Sequence, residues 1–259
     1  MSRRHIRFGC EADTLIGTLD DADGASGLLL VSGGNEIRSG AFAGQARLAE
    51  QIAAEGHPVF RFDRRGVGDS TGENLGFRHS APDIAAAIAA FMVEKPDMRR
   101  IVAFGNCDAA SALMLAGGAG LNALVLSNPW TFEDEGDETM PAGAIRARYA
   151  EKLKDPRELL RLATGKVSPV KLVKGIVGAL RPAPPRSSLL EDMCAGLDSF
   201  DGDVCILIAE RDRTGQAFMA GWNHFDPRLA HCPGATHAYV EPEAQEWLLR
   251  QLLSTLAQK

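Results

Sequence analysis

The chain has 259 residues, a formal net charge of −6 at pH 7 and 45% hydrophobic residues, enough for a full core in a single domain. The negative charge gives no reason to expect nucleic-acid binding. Five scattered cysteines without C-x-x-C spacing argue against a disulfide framework or a zinc ribbon, and favour a reducing compartment. We find no secretory signal and no run of roughly 18 apolar residues, so we expect a cytoplasmic protein.

Predicted strands and helices alternate along most of the chain, which is typical of a mostly parallel sheet with helices on both faces. A hairpin over His5–Phe8 and Thr14–Leu19 opens the pattern. Further strands are predicted at Gly27–Val31, Pro58–Phe62, Arg100–Phe104, Leu121–Leu126, Asp203–Ala209 and Arg228–Cys232. Helices are predicted at Ala41–Ala54, Pro82–Val93, Asp108–Ala116 and Pro242–Leu256. The sequence therefore predicts an α/β fold.

The alternation stops between Asn128 and Asp201, where prolines divide a helix-like stretch. The sequence therefore predicts a core made of residues 1–127 and 202–259, with a helical cap inserted at 128–201. Within this cap, residues 145–186 carry eleven Lys and Arg against three Asp and Glu. Such an excess is typical of a solvated helical face, or of a surface that meets an anionic substrate or anionic lipid headgroups.

The junction between the strand Arg100–Phe104 and the helix Asp108–Ala116 contains a cysteine, Cys107. A nucleophile on a sharp strand-to-helix turn has small residues two positions before and after it, because the backbone must bend without collision. Gly105 and Ala109 fill those two positions. The N-terminus of a helix also stabilises a thiolate. Cys107 is therefore the predicted nucleophile, and the alternative is a small buried core cysteine.

A second segment, Gly68-Asp69-Ser70-Thr71-Gly72, matches the G-x-S-x-G motif letter for letter. The preceding strand ends near Asp63, and residues 73–78 show no helical apolar period. A nucleophile turn needs a strand, a turn and a helix in immediate succession. We therefore predict that Ser70 is a loop residue.

A cysteine nucleophile needs a base, and the base needs an orienting acid. In folds with this kind of turn, the chain order is nucleophile, acid and histidine, each just past the end of a strand. Asp212 follows the strand Asp203–Ala209 and is the predicted acid, with Glu210 as the alternative. His237 follows the last predicted strand and precedes the last helix, and it is the predicted base.

The oxyanion that forms on attack needs two N–H donors, and one comes from the residue after the nucleophile, here Asp108. The glycine-rich turn Gly33-Gly34-Asn35-Glu36 follows the strand Gly27–Val31. We predict that this turn supplies the second donor through Asn35. Alternatively, Gly33 and Gly34 serve only to form an ordinary tight turn. None of these residues requires a metal or an organic cofactor.

Several segments resemble known families. Phe62–Ser70 is similar to the F-D-x-R-G-x-G-D-S segment of many α/β-hydrolases, in which it forms a structural loop. Gly105–Ala112, together with Gly33–Gly40, resembles the exosortase A system-associated hydrolases, which are bacterial proteins encoded beside exopolysaccharide and protein-sorting machinery. Residues 35–37 differ from the Pro-Gln-Tyr usual in that family. A cysteine in the turn is also similar to dienelactone hydrolases, which pair Cys with His and Asp.

The resemblance implies an α/β-hydrolase fold, with a mostly parallel central sheet, helices on both faces and an inserted helical cap. The predicted function is hydrolysis of an ester or thioester by Cys107, His237 and Asp212 through a covalent thioester. Two alternatives stay open, namely an acyltransferase with a hydroxyl or amine acceptor and a catalytically silent scaffold. The expected partner is a small-molecule acyl substrate, and no nucleic acid is expected.

Overall fold

The computed structural model describes residues 2–132 and 187–258. Eight strands form the central sheet: β1 Ser2–Cys10, β2 Asp13–Asp21, β3 Ser26–Val31, β4 Val59–Phe62, β5 Arg100–Asn106, β6 Ala123–Ser127, β7 Asp203–Ala209 and β8 Leu229–Cys232. The α-helices in the described ranges are α1 Gly44–Ala54, α2 Ala81–Glu94, α3 Asp108–Leu115, α4 Ser188–Asp198, α5 Arg213–Gly221 and α6 Pro242–Leu256. None of these helices is long and apolar enough to cross a bilayer.

The strand order across the sheet is β1-β2-β4-β3-β5-β6-β7-β8. The hairpin of β1 and β2 is antiparallel, β2 pairs antiparallel with β4, and all the later neighbours pair parallel. The order reverses between β3 and β5, which lie side by side although β4 separates them in the chain. Open sheets of this type bind ligands beyond the carboxyl ends of the strands at such a reversal.

Helices cover both faces of the sheet and bury a separate apolar cluster on each. On one face, Phe91 of α2, Leu113 of α3 and Phe218 of α5 are fully buried against the strands. On the other face, Ile52 of α1 and Leu252 of α6 are fully buried as well. The α/β class, the parallel sheet and the two helical layers that the sequence predicts are therefore confirmed.

Two helices differ from the sequence expectation. Helix α5 is absent from the predicted elements, although it begins directly after Asp212. Helix α4 lies within the range 128–201 that was predicted to form a cap, yet Leu189 and Met193 are fully buried in the cluster that also contains α3. Residues 133–186 of the predicted cap, which include its basic run, lie outside the described residues.

Candidate active site

Cys107 lies on a strained turn between the last residue of β5, Asn106, and the first residue of α3, Asp108. Its φ of 63° and ψ of −128° fall in a region that non-glycine residues rarely adopt. The close approach of strand and helix requires the glycine two positions earlier, because a Cβ on Gly105 would lie 2.7 Å from the carbonyl carbon of Ala109. The turn therefore presents the sulfur beyond the carboxyl end of β5, partly exposed to solvent.

The structure brings Cys107, His237 and Asp212 together. Nδ1 of His237 lies 3.0 Å from Oδ2 of the buried Asp212, which also accepts a hydrogen bond from the N–H of Gly215 at 3.1 Å and so caps α5. Hydrogen bonds to Asp212 and to Cys107 raise the pKa of His237 to about 10. Since Nδ1 is bonded to Asp212, Nε2 is the ring nitrogen that faces the sulfur.

The alternatives that the sequence offers lie away from this cluster. The carboxylate of Glu210 lies 3.9 Å from Nδ1 of His231, not beside His237. Ser70 lies in a loop, as predicted, where its hydroxyl donates to the carbonyl of Asp63 at 2.7 Å. Neither Glu210 nor Ser70 contributes to the wall of the cavity above Cys107.

Two asparagines hold the loop that carries His237, and sequence reasoning missed both. Nδ2 of Asn106 donates to the carbonyl of His237 at 3.0 Å. Nδ2 of the fully buried Asn128 donates to Oδ1 of Asn106 at 3.0 Å, and its own Oδ1 accepts from the N–H of Ala209 at 2.8 Å. The available signal was an asparagine at the end of each of two neighbouring buried strands, β5 and β6.

A buried tyrosine anchors the same loop to the sheet. The hydroxyl of Tyr239, two residues after His237, lies 2.9 Å from Oγ of Ser127 at the end of β6. Burial raises the pKa of Tyr239, so its hydroxyl stays neutral and can donate as well as accept. The loop after β8 is thus tied to the ends of β5 and β6, at His237 and at Tyr239.

The turn after β3 lies against Asp108. The N–H of Gly34 donates to both carboxylate oxygens of Asp108, at 2.7 and 2.8 Å. A Cβ on Gly33 would lie 2.4 Å from Oδ1 of Asp108, so a larger residue there would displace the Asp108 carboxylate. The buried guanidinium of Arg64 donates to the carbonyl of Gly34 and lies 3.8 Å from Oδ2 of Asp108. Nε of Arg64 is buried and has no hydrogen-bond partner in the described part of the chain.

Asn35, whose N–H the sequence predicts as an oxyanion donor, lies in the same turn, outside the described cavity wall. The side chain of Asn35 accepts a hydrogen bond from Nδ2 of Asn74 at 2.8 Å, and Asn35 is not among the described residues that line the cavity. Gly33, Gly34 and Glu36 of the same turn do line it.

A cavity of about 690 Å³ opens above Cys107. Asp108 and His237 contribute to its wall beside the sulfur, and Phe77 and Trp130 form an aromatic side. Its opposite side continues between α1 and α6. Within residues 2–132 and 187–258, no group of three or more His, Cys, Asp or Glu residues is arranged to hold a metal ion. The site thus offers a thiol, an imidazole, a carboxylate and N–H donors beside a large cavity.

Solved structures with the same fold include several enzymes. The esterase Pf2001 of Pyrococcus furiosus is 18% identical, covers 98% of this chain and 89% of its own, and superposes with a TM-score of 0.65. The α/β hydrolase GrgF from Penicillium is 18% identical, with 99% and 98% coverage and a TM-score of 0.63. Est1E from Butyrivibrio proteoclasticus, solved with ferulic acid, is 17% identical, with 98% and 100% coverage and a TM-score of 0.60. At these identities the likeness establishes the fold alone.

The family follows from a comparison of the sequence itself. No curated protein matches the chain. A model of the alpha/beta hydrolase family, in contrast, matches residues 28–251, which is most of the chain. The chain therefore belongs to the alpha/beta hydrolase family and is an enzyme of the hydrolase class.

Proposed function

We propose that the chain hydrolyses an ester or thioester of a small acyl substrate through a triad of Cys107, His237 and Asp212. The observation that carries the proposal is the sulfur of Cys107, held on a positive-φ turn with His237 hydrogen-bonded to it. A strained backbone at the nucleophile is a feature of enzymes that use covalent catalysis, and so is a base that is hydrogen-bonded to the nucleophile. The fold shared with the esterase of Pyrococcus furiosus supports an esterase-type reaction.

The proposed reaction begins with a thiolate. His237 keeps its proton at neutral pH because hydrogen bonds to Asp212 and Cys107 raise its pKa to about 10. An imidazolium beside the sulfur favours the thiolate, which is the form that attacks a carbonyl carbon. As the bond to the leaving group breaks, Nε2 of His237 gives its proton to the leaving oxygen or sulfur. The acyl group is then bound to Cys107 as a thioester.

Water completes the cycle. The neutral imidazole of His237 takes a proton from water, and the resulting hydroxide attacks the thioester carbonyl. The carbon–sulfur bond breaks, the acid departs, and Cys107 returns as a thiolate beside the imidazolium. Asp212 accepts the Nδ1 proton of His237 throughout and so fixes the orientation of the ring.

We assign the oxyanion to the N–H groups of Asp108 and Gly34, with Gly34 instead of the Asn35 suggested by the sequence. Gly34 lines the cavity, and its N–H already binds a carboxylate, that of Asp108. A carboxylate oxygen and a tetrahedral oxyanion bind to the same kind of donor. The side chain of Asp108 therefore competes with the substrate oxyanion for Gly34 and must leave it during the reaction.

The biological setting of the proposed reaction rests on the resemblance of Gly105–Ala112 to the exosortase A system-associated hydrolases. On that resemblance we propose a bacterial cytoplasmic enzyme that acts beside exopolysaccharide and protein-sorting machinery.

Mass spectrometry of the intact protein tests the proposal. The protein is incubated with a panel of acyl thioesters and esters, and we expect one acyl mass added at Cys107. Cys107→Ala should carry no acyl group, while the matched control Cys205→Ala should be acylated like the wild type. His237→Ala should acylate about 10²–10⁴-fold more slowly, because it lacks the proton donor. An acyl adduct that persists in Cys107→Ala would overturn the proposal.

The acyltransferase alternative shares the same acyl-enzyme and differs only in the group that resolves it. Adding a primary alcohol or amine to the acylated protein separates the two. Release of the free acid at a rate independent of the acceptor supports hydrolysis, and formation of the new ester or amide faster than the acid supports transfer.

A further inference from the structure

The cavity above Cys107 continues into a groove between α1 and α6, which we call the side groove. Gln45, Leu48 and Gln51 of α1 line it on one side, and Gln245 and Leu248 of α6 line it on the other. The residues on each helix are spaced by three, so they share one helical face. Both helices therefore present glutamine and leucine side chains to the same opening.

The side groove has an apolar floor and an amide-rich rim. Leu48 packs against the same buried cluster as Leu248 and Phe104. Gln51 and Gln245 are exposed, and the Gln51 amide makes no side-chain hydrogen bond with any residue in the described ranges. An amide with unused donors and acceptors beside apolar surface suits a ligand that combines methylene groups with amides or hydroxyls.

The charged residues of the cavity wall limit which ligands the side groove can bind. The charged residue that α1 and α6 contribute to the described cavity wall is Arg47, whereas the carboxylates of Glu36 and Asp108 lie on the side of the β3 turn. A cation at the groove disfavours a ligand that carries an ammonium group there. The ligand expected in the side groove is therefore neutral or anionic.

The position of His237 tells which half of the substrate enters the side groove. In the proposed reaction this residue gives its proton to the leaving group, so the leaving group must lie beside its ring. Ala238 and Tyr239 follow His237 directly, and both line the cavity next to α6. The Tyr239 ring stacks on Trp247 of α6, with centroids 6.2 Å apart, so the groove begins beside the proton donor.

We infer that the side groove binds the leaving group, and that this group is a linear thiol whose chain carries amides or hydroxyls, of the pantetheine type. The inference rests on the proposed function and specifies its substrate class. The side chains that α1 and α6 present to the groove include both amides and leucines, so together they can contact the polar groups and the methylene groups of one chain.

The reaction of such a thioester needs no reactant other than water. The Cys107 thiolate forms a bond to the thioester carbonyl carbon, and the bond from that carbon to the leaving sulfur breaks. The leaving sulfur takes the Nε2 proton of His237 and departs as a neutral thiol. Water then releases the acyl group from Cys107 as a carboxylic acid.

The test compares leaving groups at a constant acyl group. S-butyryl pantetheine and the butyryl thioester of ethanethiol share the acyl part and the thioester, but only the first carries amides and a hydroxyl. We expect kcat/KM to be about tenfold higher for the pantetheine ester, because two hydrogen bonds at the rim contribute about 1.4 kcal/mol together.

Variants assign the preference to the groove. Leu248→Trp fills the floor and Gln245→Leu removes a rim amide, so both should lower kcat/KM for the pantetheine ester by a larger factor than for the ethanethiol ester. Gln251→Leu is the matched control, because it makes the same change on α6 outside the described cavity wall. It should behave as the wild type with both esters.

Failure of the groove assignment and failure of the proposed function give different results. Acylation of Cys107 at equal rates by the two thioesters, or a loss in Gln251→Leu equal to that in Gln245→Leu, overturns the groove assignment and leaves the proposed function standing. Absence of any acyl adduct with the whole panel overturns the proposed function itself.

Discussion

The side chain of Asn128 donates a hydrogen bond to that of Asn106 at 3.0 Å, and Asn106 in turn donates to the carbonyl of His237. Asn128 follows β6, Asn106 ends β5 and His237 follows β8, so this short chain of hydrogen bonds connects three strand ends. The imidazole is therefore held beside the sulfur through its main-chain carbonyl as well as through its ring. In the proposed reaction, Asn106 and Asn128 act through His237 and are positioning residues.

Asn106→Ala tests this positioning. The loop with His237 loses its anchor, so we expect kcat to fall about tenfold with little change in KM, because a small misplacement of the base slows the chemical step. Asn128→Ala should lower kcat in the same direction. It should also reduce the free energy of unfolding by about 1–3 kcal/mol, since the N–H of Ala209 loses its acceptor in the core. Steady-state kinetics and urea unfolding measure both effects, and an unchanged kcat in Asn106→Ala would contradict the idea.

Asp212→Asn removes the negative charge that orients the His237 ring and keeps it protonated. We expect kcat to fall about 10²–10⁴-fold. The pKa of His237 should fall, because Asp212 is the main cause of its increase. Alkylation of Cys107 by iodoacetamide at neutral pH should then be slower, since the imidazolium beside the sulfur is lost. Glu210→Gln is the control and should leave the pH profile of alkylation unchanged.

Asp108→Asn is expected to make the enzyme faster. The Asp108 carboxylate lies next to the nucleophile and binds the N–H of Gly34, so its charge opposes both the thiolate and the oxyanion. Removing that charge should increase the rate of Cys107 acylation about tenfold, a difference of about 1.4 kcal/mol. Stopped-flow acylation measures the change. Asp97→Asn alters the net charge equally at an exposed site and serves as the control; a slower reaction in Asp108→Asn would refute the competition.

The protonation of His237 makes stability depend on pH. Its pKa is raised from 6.5 to about 10 in the folded protein. The protonated imidazole therefore stabilises the folded state fully below about pH 6.5, and this contribution is lost as the pH rises towards about 10. The difference in the free energy of unfolding between wild type and His237→Gln should accordingly shrink between pH 6 and pH 10. A difference that stays constant over this range would show that folding does not raise the pKa of His237.

Local spacing was enough to predict the fold and the cluster around the sulfur. The glycine two positions before Cys107 and the alanine two positions after it are required by the bend itself, so the turn can be read from adjacent residues. Asp212 and His237 could be chosen because each lies in the loop that follows a strand, and the strands of a parallel sheet end at the same edge. These features depend on pattern and chain order alone.

Contacts between distant residues could not be predicted in this way. The Asp108 carboxylate meets the N–H of Gly34 across 74 residues, and Asn106 meets the carbonyl of His237 across 131. Such pairs depend on the register of neighbouring strands. Helix α5 was missed for a local reason, because its nine residues include Gly215 and Gly221, and glycine has a low helix propensity.

The backbone at residue 107 has a consequence for the protein as a whole. A cysteine at φ 63° and ψ −128° raises the energy of the folded state by about 1–3 kcal/mol, and glycine would largely avoid this increase. The chain would therefore tolerate heat better as Cys107→Gly than as it is. In the proposed function, the reactivity of Cys107 accounts for the strain that the fold retains at this position.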